Sequence, residues 1–112
     1  MGYISGMVST TVIDTFASHH QQGAPLIDVR ESHEYVAGHV PGARLIPLGD
    51  VASAPDIAPE GTTVFVICAS GNRSKSACRT LEARGIPAVS VDGGTKAWAA
   101  SGRPVVTGPD AS

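Results

Sequence analysis

The sequence predicts an α/β domain, a mostly parallel sheet with helices on both faces. Three observations predict it. Short apolar runs without clean alternation, at residues 25–29 and 62–67, have the pattern of strands buried on both sides. Between such runs lie segments with apolar residues at helical spacing, most of them closed by a glycine. Strands that alternate with helices in this way build parallel sheets. A chain of 112 residues, 42% hydrophobic, suits one domain with one core.

In chain order, residues 1–6 read as a flexible lead-in, 7–106 as the folded domain and 107–112 as a tail. Residues 7–9 suggest a short edge strand. Ser9 or Thr10 can then cap a helix running through Val12, Ile13 and Phe16 to about His20, ended by Gly23. Residues 25–29 follow as a buried strand. Ser32 can cap a short helix through Glu34, Tyr35 and Val36, closed by Gly38. His39-Val40-Pro41-Gly42-Ala43 has turn chemistry. Residues 44–47 read as another strand, 49–54 as a short helix or turn, and 55–61 as a loop.

Residues 62–67 make the clearest strand, β-branched and aromatic. Residues 74–84 make the clearest helix. Ala77, Cys78 and Leu81 form its inner face, Lys75, Arg79 and Glu82 its outer one, and Gly85 closes it. Residues 88–91 are a strand, Asp92-Gly93-Gly94 a tight turn, and 95–101 a last helix carrying Trp98. After Gly102, residues 104–112 are expected to fray toward the end.

Eight basic and ten acidic residues leave a net charge of −2. That argues against nucleic acid or an anionic membrane as the main partner. Two cysteines are too few for a disulfide scaffold, and Cys68 and Cys78, without a nearby histidine, match no zinc spacing. The first residues lack the basic and apolar regions of a signal peptide, and Gly6 fails the myristoylation pattern. No apolar run reaches the roughly 20 residues of a membrane span. The expectation is a cytoplasmic monomer, with no metal and no cofactor.

The stretch Phe65-Val66-Ile67-Cys68-Ala69-Ser70-Gly71-Asn72-Arg73-Ser74 carries the chemistry. A strand ends in a thiol, and a glycine-containing loop leads into a helix. Backbone N–H groups of such a loop, with the helix dipole, favour a thiolate and hold an anion beside it. Ligand sites in parallel sheets lie beyond the carboxyl ends of strands, where Cys68 falls. Cys68 is therefore the candidate nucleophile; the alternative is a small buried core residue.

The pieces resemble the single-domain rhodaneses, the thiosulfate:cyanide sulfurtransferase-like proteins. They are Leu26-Ile27-Asp28-Val29-Arg30-Glu31, Glu34-Tyr35, Gly38-His39-Val40-Pro41-Gly42-Ala43, Ile46-Pro47-Leu48, the segment from Cys68 to Ser74, and Gly93-Gly94 with Ala97-Trp98. Each is weak alone; their order and spacing from about residue 7 to 106 carry the resemblance. It implies a rhodanese-like fold with a five-stranded parallel sheet. It also implies a loop at Cys68 that cradles a persulfide, and transfer of a sulfane sulfur from a small sulfur-containing donor to a thiol or cyanide. A protein donor or acceptor is a further expectation, and a persulfide carrier with little turnover is the alternative.

Four residues separate Cys68 from Arg73. The fold-related cysteine phosphatases need five, because a phosphoryl group requires a wider cradle than a sulfur atom, so phosphatase or arsenate reductase-like activity ranks lower.

Ala69, Ser70, Gly71, Asn72, Arg73 and Ser74 are the candidate substrate-binding residues, mostly through backbone N–H groups. Arg73 has two open readings, an anion ligand or a tie to a carboxylate. Ala69 lacks the basic or bulky side chain of many relatives, which removes one anion contact. Asp28 with Arg30 reads as a salt bridge or loop anchor, Arg44 as structural, Trp98 as core, and Cys78 as core rather than as a resolving cysteine. His19, His20, His33 and His39 read as surface or turn residues.

Overall fold

A computed structural model describes residues 8–112; the lead-in and Met7 lie outside the described residues. Five strands form one parallel sheet: β1 (Thr10–Thr11), β2 (Leu26–Asp28), β3 (Arg44–Leu45), β4 (Val64–Ile67) and β5 (Ala88–Val91). Their order across the sheet is β1-β5-β4-β2-β3, so β4 is central. The helices are α1 (Ile13–Gln21), α2 (Ser32–Ala37), α3 (Asn72–Ala83) and α4 (Gly94–Ala100).

The alternation of β4 divides the core. Val64, Val66 and Cys68 point to one face, where Ala77, Cys78 and Leu81 of α3 cover them with Ile27, Val29 and Ile46. Phe65 and Ile67 point to the other face, against Phe16 of α1, Tyr35 of α2 and Trp98 of α4. All four residues of β4 are buried, which explains why the run reads as continuously apolar.

The element boundaries differ from expectation where caps decide them. The edge strand is Thr10–Thr11, and Val12 precedes α1 without a side-chain cap, so neither Ser9 nor Thr10 caps it. Ser32 is the first residue of α2. Glu31 precedes it, and its N–H donates to Glu34 Oε1 at 3.0 Å. That reciprocal contact is a capping box built on an acid in place of serine. The helix expected from Ser74 starts at Asn72, because Gly71 caps it in the left-handed region at φ +116°. Where a short helix or turn was expected over 49–54, a single 3-10 turn covers Leu48–Asp50.

The end of the chain is tied down where fraying was expected. Val106 and His39 exchange backbone hydrogen bonds at 2.8 and 2.9 Å, Gly108 N–H reaches Val36 O, and Gly42 N–H reaches Ala111 O. His39 is the second correction. It is fully buried and stacked on Tyr35, with Nδ1 2.8 Å from Tyr35 O and Nε2 2.8 Å from Asp110 O. It anchors the C-terminal segment to α2, whereas the sequence suggested a turn residue. His19 and His33 are exposed, and His20 is half-buried with Nε2 on Pro41 O. Among the described residues no helix is long and apolar enough to cross a membrane.

Candidate active site

Chain order makes the site. From β2 the chain moves outward to β3, and from β4 it moves the other way to β5, so the sheet reverses direction between β2 and β4. The crevice beyond the carboxyl ends of those strands is the expected ligand position in an open parallel sheet. Cys68 leaves β4 there, and Asp28 and Arg30 leave β2 there. Arg30 is held against Asp28, Nη2 to Oδ2 at 2.8 Å, and also donates to Gly38 O at 2.8 Å. Both are buried, which fits the anchor reading.

The Cys68 loop closes on its own sulfur. Gly71 N–H donates to Sγ at 3.1 Å, Ser74 N–H does so at 3.3 Å, and Ser74 Oγ lies 3.5 Å from Sγ. Gly71 makes this turn possible, since φ of +116° is a region that side-chain-bearing residues resist. Cys68 is 1% exposed. Burial alone pushes the Cys68 thiol up. Hydrogen bonds from the Ser74 hydroxyl and from the N–H groups of Ser74, Gly71 and Ser70 outweigh it and bring the thiol below its ordinary value. Burial and a nearby carboxylate on Glu82 push Cys78 up to about 12. Thus one cysteine is set up to ionise and the other to stay neutral in the core.

All seven sequence-predicted site residues lie in this loop and the first turn of α3. Ser70 and Asn72 are exposed, and Ala69 is half-buried. Arg73 takes the carboxylate partner: its guanidinium grips Glu34 on α2, Nη1 to Oε1 at 2.7 Å and Nη2 to Oε2 at 2.9 Å. Arg44 donates to the carbonyls of Pro55 and Asp56, away from the loop. Trp98 packs edge-on to Phe16, with Nε1 donating to Pro104 O, and so belongs to the core.

Sequence reasoning missed two supports. Ser90, buried on β5, has Oγ 2.7 Å from Ser74 Oγ. Ser74 Oγ also lies 3.0 Å from Gly71 O, which only accepts. With a Cys68 thiol, the Ser74 proton goes to Gly71 O. With a thiolate, it turns to Sγ, while Ser90 donates to Ser74 in both states. The signal was present: a hydroxyl in an otherwise apolar buried strand requires a partner. The second support is the turn before α4. Thr95 N–H donates to Cys68 O at 2.8 Å and Lys96 N–H to Ala69 O at 3.1 Å. A Cβ on Gly94 would fall on the carbonyl oxygens of Cys68 and Ala69, so only glycine lets this turn lie against the loop.

A strand-end cysteine inside a loop of N–H donors, at the reversal point of a five-stranded parallel sheet, defines a class as well as a site. Residues 12–101 match the Rhodanese-like domain family, and the chain belongs to it. YtwF, a candidate sulfurtransferase of Bacillus subtilis, is 37% identical over 70% of this chain and 77% of its own. YrkF, a candidate sulfur carrier protein of the same organism, is 39% identical over 65% of this chain, and the match spans 40% of YrkF. Among solved structures, a rhodanese-related protein from Thermoplasma volcanium superposes with a TM-score of 0.77 at 30% identity, covering 88% of this chain and 97% of that one.

Proposed function

We propose that the protein is a sulfurtransferase that carries a sulfane sulfur on Cys68. The observation behind this reading is the Sγ of Cys68 receiving the N–H groups of Gly71 in the loop and of Ser74 in the first turn of α3. In the loading step, the Cys68 thiolate attacks the outer sulfur of thiosulfate. A new S–S bond forms, the sulfur–sulfur bond of thiosulfate breaks, and sulfite leaves with the electron pair. The loop N–H groups then face a persulfide anion. In the unloading step an acceptor thiolate or cyanide attacks the outer sulfur and the Cys68 thiolate returns. Arg73 acts through Glu34 as a fixed wall of the cradle, and Ala69 to Ser74 supply the donors. The working unit is a monomer.

Similarity to YrkF favours a second reading, in which a partner protein loads Cys68 and turnover on thiosulfate is slight. The small Ala69 side chain agrees with it, since it offers no cation to a sulfonate.

The test is intact mass after incubation with thiosulfate. One added sulfur is expected on the native protein and none on Cys68→Ser. If the native mass is unchanged and Cys68→Ser makes thiocyanate as fast as wild type, the sulfurtransferase reading is wrong. An adduct with negligible thiocyanate turnover selects the carrier reading.

A further inference from the structure

A cavity of about 410 Å³ opens beside the Cys68 loop, within the size range of small-molecule sites. Its apolar walls are Ala37, Ala69, Ala99 and Val105; Thr95 and Lys96 supply polar groups. It borders the Cys68 loop through Ala69, one of its lining residues. Ala69 follows Cys68 in the chain, and Thr95 N–H is bonded to the Cys68 carbonyl at 2.8 Å.

Two features indicate what enters it. The first is charge. Arg30 also lines the cavity, but Asp28 neutralises it, and Glu34 on the rim is neutralised by Arg73. Lys96 is exposed and has no ion pair among the described residues, so the cavity carries an uncompensated positive charge. The second is an unused hydroxyl. Thr95 is 8% exposed, and its Oγ1 has no hydrogen-bond partner among the described residues. A buried hydroxyl without a partner is costly unless a ligand supplies one.

Resting on the sulfurtransferase reading, we propose that this cavity is the acceptor site, and that it takes a low-molecular-weight thiol bearing a carboxylate. The carboxylate lies on the Lys96 ammonium and accepts from Thr95 Oγ1, and the short carbon chain lies on the alanines and Val105. The outer sulfur of a Cys68 persulfide stands about 2 Å beyond Sγ. The acceptor thiolate attacks that sulfur, a new S–S bond forms to the acceptor, and the persulfide bond breaks. Its electron pair returns to Sγ, and the acceptor leaves as a persulfide. No oxidant or reductant is consumed.

The test starts from protein loaded with thiosulfate to constant mass and freed of excess donor. It is then mixed with mercaptopropionate or cysteamine at equal thiolate concentration, and loss of the added sulfur is timed. The ratio of the two rates is compared between variants, which cancels the acceptors' intrinsic reactivities. Lys96→Ala is expected to lower the mercaptopropionate-to-cysteamine ratio about fivefold, the scale of one exposed ion pair. Lys96→Glu should lower it further. Thr95→Val should slow mercaptopropionate several-fold, and Thr95→Ser should restore it. Absence of loading in the wild type removes the sulfurtransferase reading and this inference with it. Normal loading followed by the same ratio in wild type, Lys96→Ala and Lys96→Glu overturns the inference alone.

Discussion

The Arg73 guanidinium and the Glu34 carboxylate form a two-pronged ion pair, 2.7 and 2.9 Å, that joins the first turn of α3 to α2 across the crevice between β4 and β2. The fork of arginine matches a carboxylate in this way, whereas the point charge of lysine does not. The pair fixes the far end of the Cys68 loop. It also holds one rim of the cavity, because Glu34 lines it.

That pair has a pH signature. The hydrogen bond from Arg73, then that from the Glu31 N–H, hold Glu34 down at about 2. The folded-state value lies below the unfolded one, so the stabilisation is complete above the ordinary carboxylate range and disappears as pH falls toward 2. Arg73 is 36% exposed, so solvent screening limits the coupling to ~1 kcal/mol. Urea melts of wild type, Arg73→Ala, Glu34→Gln and the double variant should give that coupling near neutral pH. It should be clearly smaller near pH 2, where Glu34 is half protonated. An equal coupling at both pH values would rule out the charged pair as its source.

Ser90 should act on Cys68 without touching it. It donates to Ser74 Oγ, which leaves the single Ser74 proton for the sulfur when the sulfur is ionised. Linked hydroxyls polarise each other, so removing the outer one weakens the inner bond. Ser90→Ala is expected to raise the Cys68 pKa, read from thiolate ultraviolet absorbance against pH. At neutral pH it should slow persulfide loading about fivefold, the scale of one hydrogen bond. A stability loss with an unmoved titration curve would make Ser90 a packing residue.

Much of this was legible in the sequence. Continuous apolar runs marked β2 and β4 as buried on both faces, and the strand–cysteine–glycine–helix order placed the cradle at the end of the central strand. The cap of α2 was not legible: Glu31 acts through a reciprocal contact with Glu34, which composition does not show. Long-range partners were hidden for the same reason. Glu34 lies 39 residues from Arg73 and His39 lies 71 from Asp110, and only the folded sheet brings either pair together.

Gly94 should be the least replaceable glycine beside the site. A Cβ there strikes backbone carbonyls, which cannot swing aside as a side chain can, and φ is +59°. Gly102 makes a fair control, with φ +83° and nothing among the described residues within 4 Å of the point an added Cβ would occupy. Gly102→Ala should cost only backbone strain, about 1 kcal/mol. Gly94→Ala should cost about 2–4 kcal/mol and slow loading, because the turn can no longer donate to Cys68 O and Ala69 O. Equal urea midpoints for the two variants would show that the carbonyl contact is not what requires glycine.

The two cysteines should separate cleanly under alkylation. Cys68 is below its ordinary value because N–H and hydroxyl donors stabilise its thiolate, so its reaction with iodoacetamide should accelerate at a lower pH than that of a free thiol. Cys78 is fully buried and held neutral up to about 12. Native protein at neutral pH should therefore take one label, on Cys68, and denatured protein two. Cys78 also predicts an alkaline loss of stability. Above its ordinary pKa, near 9, the unfolded chain releases the Cys78 proton while the folded chain keeps it, so unfolding gains with every further rise in pH. Cys78→Ala should show a weaker decline between pH 9 and 12 than wild type, even though it starts less stable from the cavity it leaves. Parallel declines would place the alkaline sensitivity in another group.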